Sequence, residues 1–225
     1  MDRRFAHIRD WIFDLDNCLY PASTGLFSLI DERMGAYIER LLGCDAQEAK
    51  RVQKAHFHTH GTTLAGLMKE HRVDPHHFLA DVHDIPLDRV TADERLGALL
   101  PRLPGRRFVF TNGDAPYARR VLEAIGVQRH FDDLHDIHAS ELRPKPDPHG
   151  YEMLCERFGI DPKHALLADD MVKNLAPAKA LGMTTVWIDN GSEQAGRDYD
   201  EAVVDVRVSD VGDWLESILG DENGR

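Results

Sequence analysis

Residues 9–13 carry a short apolar run, Trp11-Ile12-Phe13, that ends on Asp14 and Asp16. The run reads as a strand. Side chains at i and i+2 of an extended segment share a side, so the two carboxylates converge where it stops. Adjacent like charges repel. Either both acids are solvated in an Asx-type turn, or they serve as a nucleophile and an acid/base sharing a divalent cation. The pattern then turns helical from 21 to 103. Leu26, Phe27, Ile30, Met34, Tyr37, Ile38, Leu41 and Leu42 recur at helical spacing, with Gly43 as the stop and Asp45 as the next cap. This broad stripe suits core packing, or alternatively a dimer surface. Residues 45–58 read as a polar helix, and 62–71 place Leu64, Leu67 and Met68 on one face. Asp74-Pro75 is a cap followed by proline at the first helical position, and Thr91-Ala92-Asp93-Glu94 has capping-box form, opening a helix through Leu100. Residues 21–103 thus form a helical cap inserted into a core made of 1–20 and 104–225.

Beyond residue 104 the period switches. Phe108-Val109-Phe110 is a strand ending in Thr111-Asn112-Gly113, and Asp114 caps a helix through Ala124, closed by Gly126. Residues 134–137 form a further strand, 144–148 a proline-studded loop carrying Lys145, and 151–158 a helix closed by Gly159. Residues 165–168 form a strand ending at Asp169-Asp170, and 174–181 a helix closed by Gly182. Strands at 184–188 and 203–208 and a helix at 211–219 follow, with a frayed tail from Gly220 on. This alternation predicts an α/β fold, a Rossmann-like parallel sheet with helices on both faces. Ligands of such sheets bind beyond the carboxyl ends of the strands. Asp14/Asp16, Thr111/Asn112, Lys145 and Asp169/Asp170 fall there or in the connecting loops. Singly, each has a plainer explanation: an ordinary turn, a solvated loop lysine, acids favouring a helix dipole. Their joint occurrence points to a site.

Composition narrows the partners. The chain has 225 residues, 42% of them hydrophobic, enough for a folded protein with a real core. A net charge of −12 argues against a nucleic acid polymer or an anionic membrane as the main partner. A small anionic substrate remains compatible, because a metal and a few local cations reverse the sign inside one pocket. The three cysteines, Cys18, Cys44 and Cys155, form no Cys-x-x-Cys pair. There is no signal-like segment and no run long enough to span a bilayer. The expectation is a soluble cytoplasmic protein, monomer or homodimer.

Four motifs, in this order, resemble the haloacid dehalogenase (HAD) superfamily: Asp14-Leu15-Asp16-Asn17; Thr111-Asn112-Gly113; Lys145 within Arg143-Pro144-Lys145-Pro146-Asp147; and Asp169-Asp170-Met171-Val172-Lys173-Asn174 followed by Ala178-Lys179-Ala180-Leu181-Gly182. The resemblance implies a phosphatase. Asp14 would attack phosphorus, and Asp16 would protonate the leaving alkoxide and then take a proton from water. Mg²⁺ would be held by the Asp14 carboxylate, the Asp16 backbone carbonyl and the Asp170 carboxylate. Thr111, Asn112 and Gly113 would bind phosphate, and Lys145 would offset its charge. Retention of Asp16 favours an oxygen leaving group over a halide, which needs no proton. The sequence departs from the superfamily pattern at Cys18, where threonine is common, at Asp169, where glycine is common, and at Asn174, where a second acid is common.

Residues 13–21, with Gly61-Thr62-Thr63-Leu64-Ala65-Gly66-Leu67 and Val82-His83-Asp84, resemble the pyrimidine 5′-nucleotidase branch, which implies UMP or CMP as substrate. His60, Thr62, Thr63, His83 and Asp84 are then candidate leaving-group contacts; alternatively Thr62 caps a helix and the histidines lie at the surface. The rival activities are hydrolysis of a sugar phosphate or other small metabolite on the same machinery, and non-catalytic binding of a phosphate ligand. Among 13 histidines, His56 and His60 stand at i, i+4, the spacing of some zinc pairs, but spacing reveals no third ligand. Solvated or packing histidines are the plainer reading. Cys18, beside the nucleophile, would make activity redox-sensitive if its thiol were reactive.

Overall fold

The computed structural model describes residues 1–191 and 200–220. Its centre is β1 (Asp10–Phe13), a four-residue strand buried on both faces. Around it stand β2 (Arg106–Phe110), β3 (Asp133–His135), β4 (Ala165–Asp169), β5 (Thr184–Ile188) and β6 (Val206–Val208), all parallel, in the order β3-β2-β1-β4-β5-β6. The order reverses between β1 and β4, which makes the crevice beyond their carboxyl ends the expected ligand site. Register brings the three central strands to that edge together: Phe13 pairs with Val109 on β2 and with Ala168 on β4.

Alternation along β1 splits the core into two layers. Trp11 and Phe13 face α6 (Ala115–Ala124) and α9 (Val211–Leu219), packing with Tyr117, Val121, Trp214 and Leu215. Ile12 faces α7 (Pro148–Phe158) and α8 (Val172–Leu181), packing with Tyr151, Leu154 and Leu175. Between β1 and β2 lie α1 (Leu26–Leu42), α2 (Ala46–His60), α3 (Thr63–His71), α4 (Pro75–Val82) and α5 (Glu94–Leu99). The first four pack on one another, whereas α5 packs on α9 through Arg95, which pairs with Asp213 and Glu216. The α1 stripe is used in the core: Leu26, Ile30 and Ile38 are fully buried, while Leu41 and Leu42 stay exposed. Among the described residues no helix is long and apolar enough to cross a membrane.

Several boundaries differ from the sequence pattern. Thr91 does not cap a helix. Asp93 does, accepting from Leu96 N–H, because its own N–H bonds Ile125 O and keeps the chain extended until that point. α7 starts at Pro148 rather than Tyr151, since Asp147 caps it and proline fits its first turn. α8 likewise starts two residues early, at Val172. β3 stops at His135 because Asp136 turns the chain, accepting from Ala115 and Ala139 N–H. Residues 201–203 form a 3₁₀ turn, so β6 is confined to Val206–Val208. The tail expected to fray beyond Gly220 lies outside the described residues.

Candidate active site

The site begins where β1 ends. Asp14 N–H donates to Ala168 O at 2.8 Å, continuing the ladder by one residue and fixing the direction of its side chain. The Lys145 ammonium, with its side chain 1% exposed, reaches across from the loop after β3. It donates to Asp14 Oδ1 at 2.7 Å, Asp169 Oδ2 at 2.7 Å and Phe110 O at 2.8 Å. All three ammonium protons are thereby satisfied. Its pKa is held above the usual lysine range: burial works against the charge, but Asp14 and Asp169 outweigh burial. Asp14 is pushed up to about 7. Burial is the main cause, Lys145 opposes it, and the Asp169 and Asp16 carboxylates add to it.

Asp169 explains two of the departures from the superfamily pattern together. Its carboxylate accepts from Asn174 Nδ2 at 2.9 and 3.1 Å and from Met171 N–H at 2.9 Å. A buried acid at position 169 needs donors, and asparagine at 174 provides one where a second acid would repel it. Cys18 is buried, with its thiol donating to Ala168 O at 3.6 Å. Burial first, and then the Asp14, Asp169 and Asp170 charges, push this thiol well above its ordinary pKa, which disfavours the thiolate that redox chemistry needs.

Asp16 is held by two phenols. Tyr20 and Tyr117 both donate to Oδ1, at 2.6 and 2.7 Å. Burial first, then the Asp16 charge, keep both phenols protonated. The His83 ring stacks on Tyr117 at 4.3 Å and bonds Asp114 at 2.9 Å. Sequence reading missed both tyrosines. Tyr20 stands four residues beyond Asp16 in the same motif, but nothing local links Tyr117 to an acid 101 positions away.

The second motif is built partly for support. Asn112 accepts from Lys145 N–H at 2.8 Å and donates to Lys145 O at 3.2 Å, so it clamps the lysine loop. Thr111 Oγ1 accepts from Gly113 N–H at 2.9 Å, which leaves the hydroxyl proton available. Of the inserted residues, His83 comes to this edge: a Cβ at Gly113 would lie 3.6 Å from its Cε1. Arg120 of α6 fixes the chain there by donating to His83 O and Ile85 O. Asp84 instead pairs with Arg33, with its side chain 82% exposed. His60 bonds Glu70 on α3, Thr62 caps α3 through Ala65 N–H, and Thr63 is buried. A further bridge sits beside Gly61: Lys173 donates to Gly61 O at 3.4 Å and lies over the Phe57 ring at 4.1 Å.

A sequence profile of the haloacid dehalogenase-like hydrolases matches residues 11–182. The chain belongs to that family. Phosphate metabolism protein 8 of Saccharomyces cerevisiae is 28% identical over 191 residues, covering 77% of this chain; the chain spans 59% of that relative's length. A phosphoglycolate phosphatase of Rhodospirillum rubrum is 26% identical over 221 residues, 91% of this chain and 89% of its own. The HAD phosphatase structure from Thermococcus onnurineus superposes with a TM-score of 0.61 over 95% of this chain and 98% of its own, at 20% identity, which speaks to the fold.

The donor set of this HAD-like site suits a hard divalent cation. Asp14, Asp169 and Asp170, all buried, each bring one oxygen within 4.8 Å of the others. Asp16 adds a fourth acid, and Lys145 is the cation bonded among them. Carboxylate oxygens in a buried acidic cluster favour hard divalent cations over softer metals.

Proposed function

We propose that this HAD-family chain is a Mg²⁺-dependent phosphomonoester hydrolase working through an aspartyl phosphate on Asp14, with a pyrimidine nucleoside monophosphate, UMP or CMP, as substrate. The observation that carries the reading is Lys145 Nζ bonding both Asp14 and Asp169 at 2.7 Å, beside an Asp16 anchored by two phenols. Bound Mg²⁺, held by the Asp14 and Asp170 carboxylates and the Asp16 backbone carbonyl, supplies neutralisation of the crowded carboxylate and phosphate oxygens.

The protein groups divide the chemistry. An Asp14 oxygen bonds to phosphorus while the phosphorus–oxygen bond to the nucleoside breaks. Asp16 gives its proton to that leaving oxygen. Both phenols engage Oδ1, so Oδ2 is the oxygen turned to this task. Asp16 then takes a proton from water as the water oxygen attacks the same phosphorus. The bond from phosphorus to Asp14 breaks, and inorganic phosphate leaves. Lys145 offsets charge on Asp14 and phosphate, held in place by Asp169 and the Asn112 clamp. Thr111 O–H and the Asn112 backbone N–H receive phosphate oxygens, whereas Gly113 N–H, expected to do so, is bonded to Thr111 Oγ1 and supports the loop instead.

Helices α1–α4 act in this reading as the cap that excludes water and meets the leaving group, with α5 staying on the core beside α9. His83 is the best-supported leaving-group contact, because it stacks on Tyr117 and is held at the site by Asp114, whereas His60, Thr62 and Asp84 bond within the inserted helices. The nucleotide assignment rests on the resemblance of residues 13–21, 61–67 and 82–84 to the nucleotidase branch. A different small phosphorylated metabolite is favoured by one finding, the extensive match to a phosphoglycolate phosphatase. Phosphate release from a panel of metabolites, with Mg²⁺ or EDTA, for wild type and D14N, separates these. Selective Mg²⁺-dependent release from UMP and CMP, absent in D14N, is expected. Release from other phosphates alone rejects the nucleotide assignment, and release by D14N at the wild-type rate rejects the mechanism.

A further inference from the structure

The inserted helices carry a second cluster of ligand-type side chains, separate from the Asp14 constellation. It sits where α2 and α3 approach closely, and Gly66 permits that approach. A Cβ at Gly66 would meet His56 Cγ at 2.3 Å and Nδ1 at 2.4 Å, so the imidazole lies directly on the α3 backbone. His56 is 4% exposed. Its Nε2 has no partner. Its Nδ1 faces Glu70 Oε1 at 3.8 Å, outside hydrogen-bond range. One turn further along α2, His60 Nε2 lies 2.8 Å from the same Glu70 oxygen. One ligand atom from each of His56, His60 and Glu70 falls within 4.8 Å of the other two. The spacing-based search for zinc ligands lacked only the third residue, and folding supplies it from another helix.

A buried imidazole without a hydrogen bond on either nitrogen is an anomaly in a native core. Packing alone would be served better by an apolar ring. A metal would give a partner to Nδ1, the nitrogen aimed into the cluster, while Nε2 stays buried against the packing.

We propose that His56, His60 and Glu70 bind a divalent transition metal, Zn²⁺ by ligand type, that staples α2 to α3. Zinc takes imidazole nitrogen and carboxylate oxygen at about 2.0–2.2 Å in a tetrahedron, which separates ligand atoms by roughly 3.4 Å. The observed 2.8 and 3.8 Å separations bracket that value, so small side-chain shifts complete the site. The metal replaces the His60–Glu70 hydrogen bond, and water takes the fourth position. Glu70 is half exposed, which gives the ion a route in from solvent. Two imidazoles disfavour Mg²⁺, so the nitrogen site and the oxygen site select different metals. This inference is independent of the phosphatase reading.

The test uses the full chain, stripped with EDTA, saturated with Mg²⁺ and then titrated with Zn²⁺, with bound zinc counted after gel filtration. Wild type and D170N are each expected to retain one zinc per chain. H60Q and E70Q alter partly exposed residues and leave the His56–Gly66 packing intact; circular dichroism checks their folding. Each is expected to bind zinc at least about tenfold more weakly. Co²⁺ in wild type is expected to show the intense visible absorption of tetrahedral coordination, lost in E70Q. The proposal is overturned if wild type retains no zinc, if H60Q and E70Q retain it as wild type does, or if D170N abolishes it.

Discussion

At the scale of single residues, the site is a problem in burying charge. Lys145, Asp14 and Asp169 are each under a tenth exposed, and each is tolerable because the others are present. Asp16 is organised differently, by neutral donors. Tyr117→Phe removes one of its two phenolic hydrogen bonds while keeping the ring that stacks on His83. Losing a hydrogen bond to a charged group is worth about 1.5 kcal/mol, so kcat is expected to fall roughly tenfold with KM little changed. Steady-state kinetics on the best substrate of the panel checks this; a change confined to KM would show that Tyr117 serves binding instead. The residues on strand ends were legible in the sequence because motif order and strand patterning converge on them. Tyr117, and the exchange of roles between Asp169 and Asn174, were not. They depend on which side chains the fold brings together, and no local period encodes that.

At the scale of elements, aspartate caps and glycine stops punctuate the chain. Asp45, Asp74, Asp114 and Asp147 cap helices, and Gly43, Gly159 and Gly182 end them in left-handed conformations. These signals, Asp147 excepted, made helix existence readable. The capping-box pattern at Thr91 misled because tertiary pairing of Asp93 with Ile125 decides where that helix begins. The placement of α5 beside α9 was likewise invisible, since it depends on ion pairs with a helix more than a hundred residues away. Gly66 is the element-scale constraint that is easiest to test. Gly66→Ala drives a methyl into the His56 ring, and overpacking of this kind costs about 1–3 kcal/mol. Urea denaturation is expected to show the loss, although alanine favours helix intrinsically. An unchanged or raised midpoint would mean that α2 and α3 separate freely.

At the scale of the whole molecule, the parallel sheet sets both the site and the acid response. The switch in strand order between β1 and β4 places Asp14 beside the adjacent pair Asp169 and Asp170, although Asp14 is far from both in sequence. On the far side of β2, His135 is fully buried with both ring nitrogens unpartnered, edge-on to Phe110. Burial, assisted by Arg157, pushes its pKa down from 6.5 to about 4. Between those values the unfolded chain takes up a proton that the folded chain does not, so stability falls as pH drops through that window. The full effect is about 3 kcal/mol. His135→Phe keeps a ring of similar size, and its stability is expected to depend less steeply on pH from 6.5 to 4 than that of wild type. Parallel denaturation series would reveal it, and identical slopes would assign the acid response to other groups.

The central claim is that Asp14 carries the phosphoryl group, and trapping tests it most directly. Enzyme turning over its best substrate with Mg²⁺ is quenched in acid, reduced with borohydride and digested for mass spectrometry. An acyl phosphate at Asp14 is reduced to homoserine, so the peptide containing residues 10–20 is expected to carry that conversion at position 14. Substrate turnover with Asp14 unmodified, or with the conversion at another acid, would contradict the account.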